Sequence, residues 1–267
     1  MDFNYYNNFK LHNYTTTTCI MIEVQSISKK FEDNEVLSDI NSRFERGKTN
    51  LIIGQSGSGK TVFLKCLLGL YNIDSGEIKY DGRSSSEMND FDKLNLRRDM
   101  GMVFQGSALF DSLNVLENVR FPLDMLTDID SEEKNERALK FIKRVNLEDA
   151  LNKLPSELSG GMQKRVAIAR AVVMNPKYLF CDEPNSGLDP KTAIVIDKLI
   201  HEITTEYQIT TVINSHDMNS VIEIGENIVF LKDGLKVWQG TNKEILNSGN
   251  NEVNDFVYSS ELVKKLK

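Results

Sequence analysis

The sequence predicts an α/β domain built on a layered parallel sheet, with a helical subdomain inserted into it. Two observations predict this class. Short apolar runs alternate with segments of helical periodicity, which is typical of strand–helix–strand units in a parallel sheet. Residues from about 114 to 175 break that alternation, because they have helical patterns and no strand pattern. The chain has 267 residues, of which 40% are hydrophobic and 27% charged, so it is long enough to bury a sizeable core.

The strands are predicted from apolar runs bounded by glycine or polar residues. In chain order they are IEVQSI, TNLIIG at residues 49–54, GEIKYDG, MGMVFQ, YLFCD, ITTVIN and the pair NIVFLKDG and LKVWQG. The run at 49–54 is apolar at successive positions, which is typical of a strand buried on both faces. The last two strands are expected to form a closing hairpin.

The helices are predicted from apolar residues that recur every three or four positions. One is expected in VFLKCLLGL, directly after the strand at 49–54. A second is expected to be capped by Ser131, with acidic residues in its first turn and basic residues in its last. Two more are expected to begin after Ser159 and at Asp189-Pro190, where proline suits the first helical position.

Charge and composition exclude several classes of protein. The formal net charge of −7 argues against nucleic acid bound over the whole surface, and no nucleic-acid partner is expected. The three cysteines, Cys19, Cys66 and Cys181, lack metal-ligand spacing and indicate buried side chains in a reducing compartment. No run approaches the roughly 20 apolar residues of a transmembrane helix, so a role at a membrane would need another chain to span it.

The limits of the domain are predicted from composition. Residues 1–20 are rich in Asn, Tyr and Thr and lack the apolar core of a signal peptide. We expect them to be a disordered leader or an artefact of start-site choice, with Met21 as the alternative start. The main domain is expected to span residues 21–258, followed by a C-terminal tail at residues 259–267.

The octapeptide GQSGSGKT matches the P-loop pattern G-x-x-x-x-G-K-[ST]. A buried strand precedes it and a helix follows, as the motif requires. Glycines let backbone N–H groups turn toward phosphates, the lysine reaches the β- and γ-phosphates, and the last hydroxyl binds Mg²⁺. A plain Gly/Ser turn would not need Lys-Thr at this offset. The predicted nucleotide-binding residues are Gly54, Gln55, Ser56, Gly57, Ser58, Gly59, Lys60 and Thr61.

Polar side chains at three other strand ends complete a predicted hydrolytic site. Asp182, at the tip of YLFCD, suits Mg²⁺, and Glu183 suits a general base that polarises the attacking water. Gln105 follows MGMVF and is a candidate for holding water or Mg²⁺ near the γ-phosphate. His216 follows ITTVIN at the sheet edge where ligands bind, and is a candidate γ-phosphate contact. The alternatives are solvated acids, a polar strand end and a structural histidine.

Two further features point to nucleotide. Phe31, in KKFEDNEVL, is a candidate for stacking on adenine, with packing in the core as the alternative. The segment LSGGM opens a helix with a hydroxyl and two glycines, which is a second set of groups suited to phosphate. Its residues of interest are Ser159, Gly160 and Gly161.

Six motifs occur in one order along residues 54–216: the P-loop, the Gln105 strand end, LSGGM, YLFCDEP, SGLDP and the His216 strand end. This set resembles the ATPase subunit of ABC transporters, and the resemblance covers residues 22 to about 257. It implies a P-loop NTPase ABC ATPase core with the inserted helical subdomain and an N-terminal antiparallel β portion. It also implies that ATP and Mg²⁺ are the cofactors.

The same resemblance implies roles for these residues. Two copies would form a head-to-tail homodimer, in which the LSGGM residues bind the γ-phosphate of the partner's ATP and Asp189 links the two sites. Gln105 would be the Q-loop glutamine and a Mg²⁺ contact, Glu183 the catalytic carboxylate and His216 the switch histidine. Met162 stands where the commoner signature has glutamine, and activity is expected to survive this difference.

Three segments narrow the resemblance: GMVFQGSALFDSLNVLENVRFPL, LSGGMQKRVAIARA and SHDM. Together they are similar to the ATPases of Mla-type phospholipid transporters, which act with a permease and a lipid carrier between the membranes of diderm bacteria. This implies a permease docked on residues 110–122, a lipid-carrier subunit, and a place on the cytoplasmic face of the inner membrane. The docking segment is apolar through Phe110, Leu113, Val115, Leu116, Phe121 and Pro122, and the alternative is that these residues pack the helical subdomain. The alternatives are an ATPase for lipoprotein release, cell division or solute import, and a soluble non-transport ABC protein.

Overall fold

The structure, a computed structural model, describes residues 20–259, which contain ten strands and nine α-helices. The strands are β1 (Ile20–Phe31), β2 (Asn34–Glu45), β3 (Thr49–Ile53), β4 (Ser75–Tyr80), β5 (Arg83–Ser84), β6 (Met100–Val103), β7 (Tyr178–Asp182), β8 (Thr210–Ser215), β9 (Asn227–Lys232) and β10 (Leu235–Gly240). The helices are α1 (Lys60–Leu67), α2 (Asp90–Arg98), α3 (Val115–Leu126), α4 (Ser131–Arg144), α5 (Gly160–Val172), α6 (Pro190–Tyr207), α7 (Met218–Ile224), α8 (Asn242–Ile245) and α9 (Asn251–Ser259).

The predicted leader and tail lie almost wholly outside the described residues, as does Cys19. Strand β1 begins at Ile20, one residue inside the predicted leader, and α9 ends at Ser259, the first residue of the predicted tail. No helix in the described range is long and apolar enough to cross a membrane.

The strands form two sheets. A four-stranded antiparallel sheet has the order β2-β1-β4-β5, and a six-stranded sheet has the order β10-β9-β3-β8-β7-β6. In the larger sheet β9, β3, β8, β7 and β6 run parallel, and β10 pairs antiparallel with β9 as the predicted hairpin. The predicted α/β class with an antiparallel portion near the N-terminus is therefore confirmed.

The central strands separate two hydrophobic cores. Leu51 and Ile53 of β3 face a core shared with the helices between β6 and β7, whereas Ile52 faces a core shared with α1 and the antiparallel sheet. All three side chains are fully buried. Both faces of β3 are covered, which explains why its apolar run is continuous rather than alternating.

Every described element between β6 and β7 is helical: α3, α4, two short 3₁₀ turns at Glu148–Ala150 and Pro155–Glu157, and α5. The predicted cap of α4 is wrong by one residue. Asp130 has extended backbone, and its carboxylate accepts from the N–H groups of Glu132 and Glu133 at 2.9 Å. Ser131 is already the first helical residue, so the acid rather than the hydroxyl satisfies the free N–H groups.

Six elements lie outside the sequence predictions: β2, β5, α2, α7, α8 and α9. Helix α2 buries no residue, so it lacks the apolar stripe that marks a helix in sequence. Strand β2 does alternate, with Leu37, Ile40 and Phe44 fully buried. Irregular pairing with β1 interrupts that period and weakens the pattern.

Candidate functional site

The predicted P-loop residues form the turn between β3 and α1. Gly54, Gly57 and Gly59 have φ angles of +152°, +81° and +98°. A Cβ on Gly54 would lie 2.2 Å from the carbonyl oxygen of Leu231, so this position accepts only glycine. Lys60, the first residue of α1, is buried, and its Nζ donates to two carbonyl oxygens of the turn at 2.9 Å each. The turn therefore curls around its own lysine.

Four neighbouring parallel strands bring the other predicted residues to this turn. In the order β3-β8-β7-β6, the carboxyl ends of the strands share one edge of the sheet. The P-loop follows β3, His216 follows β8, Asp182 ends β7, and Gln105 lies two residues beyond β6. Residues that are far apart in the chain thus meet at one sheet edge.

A hydroxyl and a carboxylate at this edge fit Mg²⁺. Thr61 Oγ1 lies 3.5 Å from Asp182 Oδ1, and Asn214 Nδ2 donates to the same carboxylate oxygen at 3.0 Å. Oxygen ligands are those that Mg²⁺ prefers, and it usually keeps positions for water and phosphate oxygens. Within residues 20–259, no three His, Cys, Asp or Glu side chains are grouped to hold a metal ion. The two side chains thus fit a Mg²⁺ ion that is also bound by oxygens of the nucleotide. The predicted Mg²⁺ contact of Gln105 stays a prediction, because its amide donates to Glu183 in this structure.

Glu183 is held by two of the predicted side chains. Its Oε1 lies 3.0 Å from His216 Nδ1, and its Oε2 accepts from Gln105 Nε2 at 3.2 Å. Because a carboxylate only accepts hydrogen bonds, Nδ1 of His216 carries a proton in this contact. The φ of Glu183 is +46°, a left-handed conformation that costs free energy for a residue with a side chain. The structure therefore brings the predicted base, glutamine and histidine together.

The LSGGM residues form the start of α5 and are not part of the P-loop side of the site. Ser159 caps the helix and accepts from the N–H of Met162 at 3.4 Å. Ser159 and Gly160 are exposed, and no hydrogen bond joins them to residues 54–61 in the described part of the chain. A Cβ on Gly161 would lie 2.6 Å from Thr192 Cγ2, so glycine lets α5 pack against the start of α6. The second set of phosphate-binding groups faces outward.

Asp189 lies beside this outward face, at the start of α6. Its carboxylate accepts from the N–H groups of Lys191 and Thr192 at 3.1 Å and from the Thr192 hydroxyl at 2.5 Å. These hydrogen bonds, the Thr192 hydroxyl first, hold the pKa of Asp189 below its ordinary value. Within this chain Asp189 is a helix cap, and its link to a second site stays a prediction.

Phe31 ends β1 and is 39% exposed, so the structure does not support the alternative that it packs in the core. Its ring makes an edge-to-face contact with Tyr71, with 5.2 Å between the ring centroids. Lys29 Nζ lies 5.2 Å from the centroid of the same ring. Stacking on adenine stays a prediction.

The loop that follows Gln105 is held by α5. Lys164 Nζ donates to the carbonyl oxygen of Gln105, and the Arg170 guanidinium donates to those of Ser107 and Ala108 at 2.8 Å. Ser107 and Ala108 both have left-handed backbone, with φ of +62° and +48°. Because such a backbone persists only where its surroundings fix it, α5 determines the path of this loop. No motif in the sequence identifies Lys164 or Arg170 as its anchors.

An apolar groove of about 400 Å³ continues from this loop. Its walls come from β6, the loop and α3. Arg97 and Arg98 of α2 lie at its side and are exposed, and their guanidinium groups form no hydrogen bond or ion pair with the described residues. The apolar lining residues are Met100, Met102, Phe104, Phe110, Phe121, Pro122, Leu126 and Met174. The groove thus includes Phe110, Phe121 and Pro122 of the predicted docking segment. Val115 and Leu116 of that segment pack in the core instead and do not line the groove.

The structure also shows a polar cluster that the sequence does not reveal. Asp197 of α6 is buried, and it accepts hydrogen bonds from Asn185 and Ser220. These residues are 12 and 23 positions away from it in the chain, on different elements, and no motif joins them. Only the fold brings them together.

Comparisons with known proteins agree with this geometry. The profile of the ABC transporter family matches residues 37–186. The methionine import ATP-binding protein MetN of Clostridium tetani is 40% identical over 244 residues, which are 91% of this chain and 76% of that protein. The intermembrane phospholipid transport system ATP-binding protein MlaF of Haemophilus influenzae is 33% identical over 237 residues, 89% of this chain and 90% of that protein.

A solved structure adds the fold. The dimeric structure of MJ0796, a bacterial ABC transporter cassette, has a TM-score of 0.75 and 34% sequence identity, covering 83% of this chain and 99% of that chain. Family profile, relatives and fold agree with the P-loop and with the acidic strand end beside it. The chain therefore belongs to the ABC transporter family, as an ATP-binding cassette that hydrolyses ATP.

Proposed function

We propose that this chain is the ATPase subunit of an ABC transporter and that it hydrolyses ATP in sites shared between two copies. One observation supports this most directly: the P-loop, Glu183 and His216 meet at one sheet edge, while Ser159 and Gly160 face outward. A chain with an inward and an outward phosphate-binding element can complete its site only with a second molecule.

Within each site the chain's own residues divide the work. Thr61 and Asp182 hold Mg²⁺, which neutralises charge on the phosphates when it is bound. Glu183 takes a proton from the attacking water, as its 3.0 Å contact with His216 and its hydrogen bond from Gln105 orient the carboxylate. The helix dipole of α5 and the Ser159 hydroxyl stabilise the γ-phosphate from the other copy, because helix N-termini favour anions.

The dimeric MJ0796 cassette supports the arrangement of two copies. The proposed homodimer is head to tail, so that each outward LSGGM face covers the partner's P-loop and Asp189 lies between the sites. ATP holds the two copies together, and hydrolysis releases them, since ATP binds the closed state more tightly.

The apolar groove is the proposed docking surface for a membrane permease. Apolar side chains that are grouped at the surface are common in protein interfaces. The guanidinium groups of Arg97 and Arg98 are unpaired and would attract a negative charge. The proposed partner is therefore an apolar segment of the permease that carries an acidic side chain. With such a permease, the proposed location of the chain is the cytoplasmic face of a bacterial inner membrane.

Two substrate classes have support. Phospholipid transport between membranes, with a lipid-carrier subunit in the complex, is supported by the similarity to MlaF and by the segments around Gln105, Ser159 and His216. Import of an amino acid is supported by the similarity to MetN. An ATPase subunit need not touch the transported molecule, so the permease decides between them.

Mixing two inactive variants tests the shared site. Lys60→Ala removes the P-loop cation, and Ser159→Arg blocks the outward face, so each variant alone should hydrolyse almost no ATP. Mixed in equal amounts they should regain activity, because mixed dimers contain one site with an intact P-loop and an intact LSGGM face. The control is the double variant Lys60→Ala with Ser159→Arg, whose dimers contain no intact site and should stay inactive. Absence of recovery in the mixture would contradict the head-to-tail dimer.

Purification of the chain from detergent-solubilised membranes tests the partner. Mass spectrometry should identify a permease, together with a lipid carrier if phospholipid is the substrate. Arg98→Glu should lower the amount of co-purified permease, while Lys143→Glu, which reverses an exposed charge of α4 outside the groove, should not. Equal recovery with all three proteins would show that the permease does not dock beside Arg98.

A further inference from the structure

A buried carboxylate connects the two loops that carry Glu183 and His216. Asp197 of α6 is 3% exposed. Its Oδ2 accepts from Ser220 Oγ at 2.7 Å and from Asn185 Nδ2 at 3.2 Å. Asn185 Nδ2 also donates to Ser220 Oγ at 2.9 Å, so the three side chains form a closed triangle.

One corner of the triangle fixes the turn of Glu183. Asn185 lies two residues beyond Glu183, inside a turn closed by the Ser186 N–H donating to the Glu183 carbonyl oxygen at 3.1 Å. The left-handed φ of +46° at Glu183 needs support from the surrounding structure. The Asn185 side chain ties this turn to Asp197 of α6.

The second corner fixes the element that follows His216. Ser220 is fully buried in the first turn of α7, four residues after His216. Asp217, between them, caps the same helix by accepting from the Asn219 N–H at 2.9 Å. The position of His216 therefore depends on how the start of α7 is held, and Ser220 ties that start to Asp197.

We propose that Asp197 is a positioning residue for ATP hydrolysis: it locks the Glu183 turn and the start of α7 together and so maintains the contact between Glu183 and His216. The proposal assumes the roles given above to Glu183 and His216. Asp197 lies behind these groups and acts through Asn185 and Ser220.

A carboxylate at this position costs stability, which argues against a purely structural role. The pKa of Asp197 is raised to about 6, chiefly by burial. The negative charges of Asp217 and Glu223 act in the same direction, and the hydrogen bonds from Ser220 and Asn185 act against it. In the described part of the chain no basic side chain forms an ion pair with Asp197. Asn185 and Ser220 both donate hydrogen bonds to Asp197, so residue 197 must accept from both. An asparagine at 197 would turn its own NH₂ group toward the NH₂ group of Asn185, which lies 3.4 Å from Asp197 Oδ1.

Exchanging the two polar groups tests the proposal. Asp197→Asn should lower kcat for ATP at least about tenfold with little change in KM, since a small misplacement of a reacting group has effects of this order or larger. Asn185→Asp should also lower kcat, because two carboxylates then face each other. The double exchange Asn185→Asp with Asp197→Asn restores one amide and one carboxylate and should recover most of the lost kcat.

Stability measurements separate positioning from folding. Urea unfolding of Asp197→Asn at about pH 8 should show no loss of stability, while kcat falls. Glu223→Gln, a neighbouring exposed acid on α7, should keep wild-type kcat. Normal kcat in Asp197→Asn, or a fall of kcat that only follows a loss of folded protein, would overturn the proposal.

The variants Ser220→Ala and Glu183→Gln test the proposal where Asp197→Asn alone does not. If Asp197→Asn does not fold, Ser220→Ala removes another corner of the triangle, and unchanged kcat in that variant would also overturn the proposal. Glu183→Gln is measured in parallel. Normal hydrolysis by Glu183→Gln would contradict the role that the proposed function gives to Glu183. Inactivity of Glu183→Gln together with full activity of Asp197→Asn would contradict the role of Asp197 alone.

Discussion

The P-loop turn and the LSGGM turn offer similar groups to phosphate, yet they are held in different ways. The P-loop packs against its own chain: Gly54 abuts the carbonyl oxygen of Leu231, and Lys60 donates to two carbonyl oxygens of the turn. Burial lowers the pKa of Lys60, and the charges of Glu183 and Asp182 act in the opposite direction. The turn is therefore integrated into one site.

The LSGGM turn has little of this support. Its exposed Ser159 makes one long capping hydrogen bond, and Gly160 is open to solvent. The difference teaches that phosphate-binding chemistry alone does not tell which nucleotide an element serves. The packing around it does, because an element that its own chain leaves uncovered is available to a second chain.

The largest effect is expected at Glu183, which lies beside the P-loop. Glu183→Gln removes the base while keeping the shape of the side chain, and kcat should fall by about 10²–10⁴-fold. ATP binding should persist, and the variant should accumulate as a dimer with ATP. Steady-state ATPase assays and size-exclusion chromatography measure these outcomes. A variant that hydrolyses ATP at the wild-type rate would show that Glu183 is not the base.

The next effect belongs to the outward side. Ser159→Arg places a large side chain on the face that meets the partner's ATP, and hydrolysis should fall by about 10²–10³-fold, the range found when a phosphate- or oxyanion-stabilising group is lost. Binding of a fluorescent ATP analogue to the monomer should be unchanged, because the P-loop is intact. Ser156→Arg, on the exposed turn just before, is the control and should remain active. Weakened binding to the Ser159→Arg monomer would place both turns in one site.

A smaller, pH-dependent effect is expected at Asp197. Its pKa rises from 3.8 to about 6 through burial, so the folded protein binds this proton more tightly than the unfolded chain. The charged carboxylate therefore costs stability above about pH 6, and the cost is relieved as the pH falls toward 3.8. Relative to Asp197→Asn, the wild type should gain about 1 kcal/mol of unfolding free energy between about pH 8 and pH 5. Urea titrations of both proteins at the two pH values measure this difference, and parallel pH profiles would contradict it.

The smallest effect is expected at Met162. The Ser159 cap uses the backbone N–H of this residue and not its side chain. Met162→Gln should therefore leave the rate of hydrolysis within about twofold of wild type and leave the helix capped. A large gain or loss of activity would show that the side chain itself reaches the nucleotide.

The parts of the site that the sequence predicts are those whose residues are contiguous or sit at strand ends. The P-loop glycines, Asp182 and Glu183 belong to short motifs, and the parallel sheet brings such motifs to one edge. His216 and Gln105 are predictable for the same reason, because each lies just beyond the end of a parallel strand. The chemistry of these positions is local, so a single sequence is enough to locate them.

The remaining features depend on packing between distant elements. Asp197, Asn185 and Ser220 share no motif, and Arg170 of α5 anchors Ser107 and Ala108 across the fold. Helix α2 lacks an apolar stripe, so neither its existence nor the place of its arginines beside the groove follows from periodicity. The cap of α4 shifted from Ser131 to Asp130 because both residue types suit a cap and backbone conformation decides between them.

In the proposed complex, helix α5 connects the nucleotide sites to the groove that the permease would occupy. The N-terminus of α5 makes the proposed contact with the γ-phosphate of the partner's ATP. Farther along the helix, Lys164 and Arg170 hold the loop that runs from Gln105 to the groove. Gln105 itself contacts Glu183 of its own site. In the proposed dimer each groove would therefore respond to both nucleotides at once, its own through Gln105 and the partner's through α5. Each groove would then adopt its fully closed conformation only when both ATP molecules are bound.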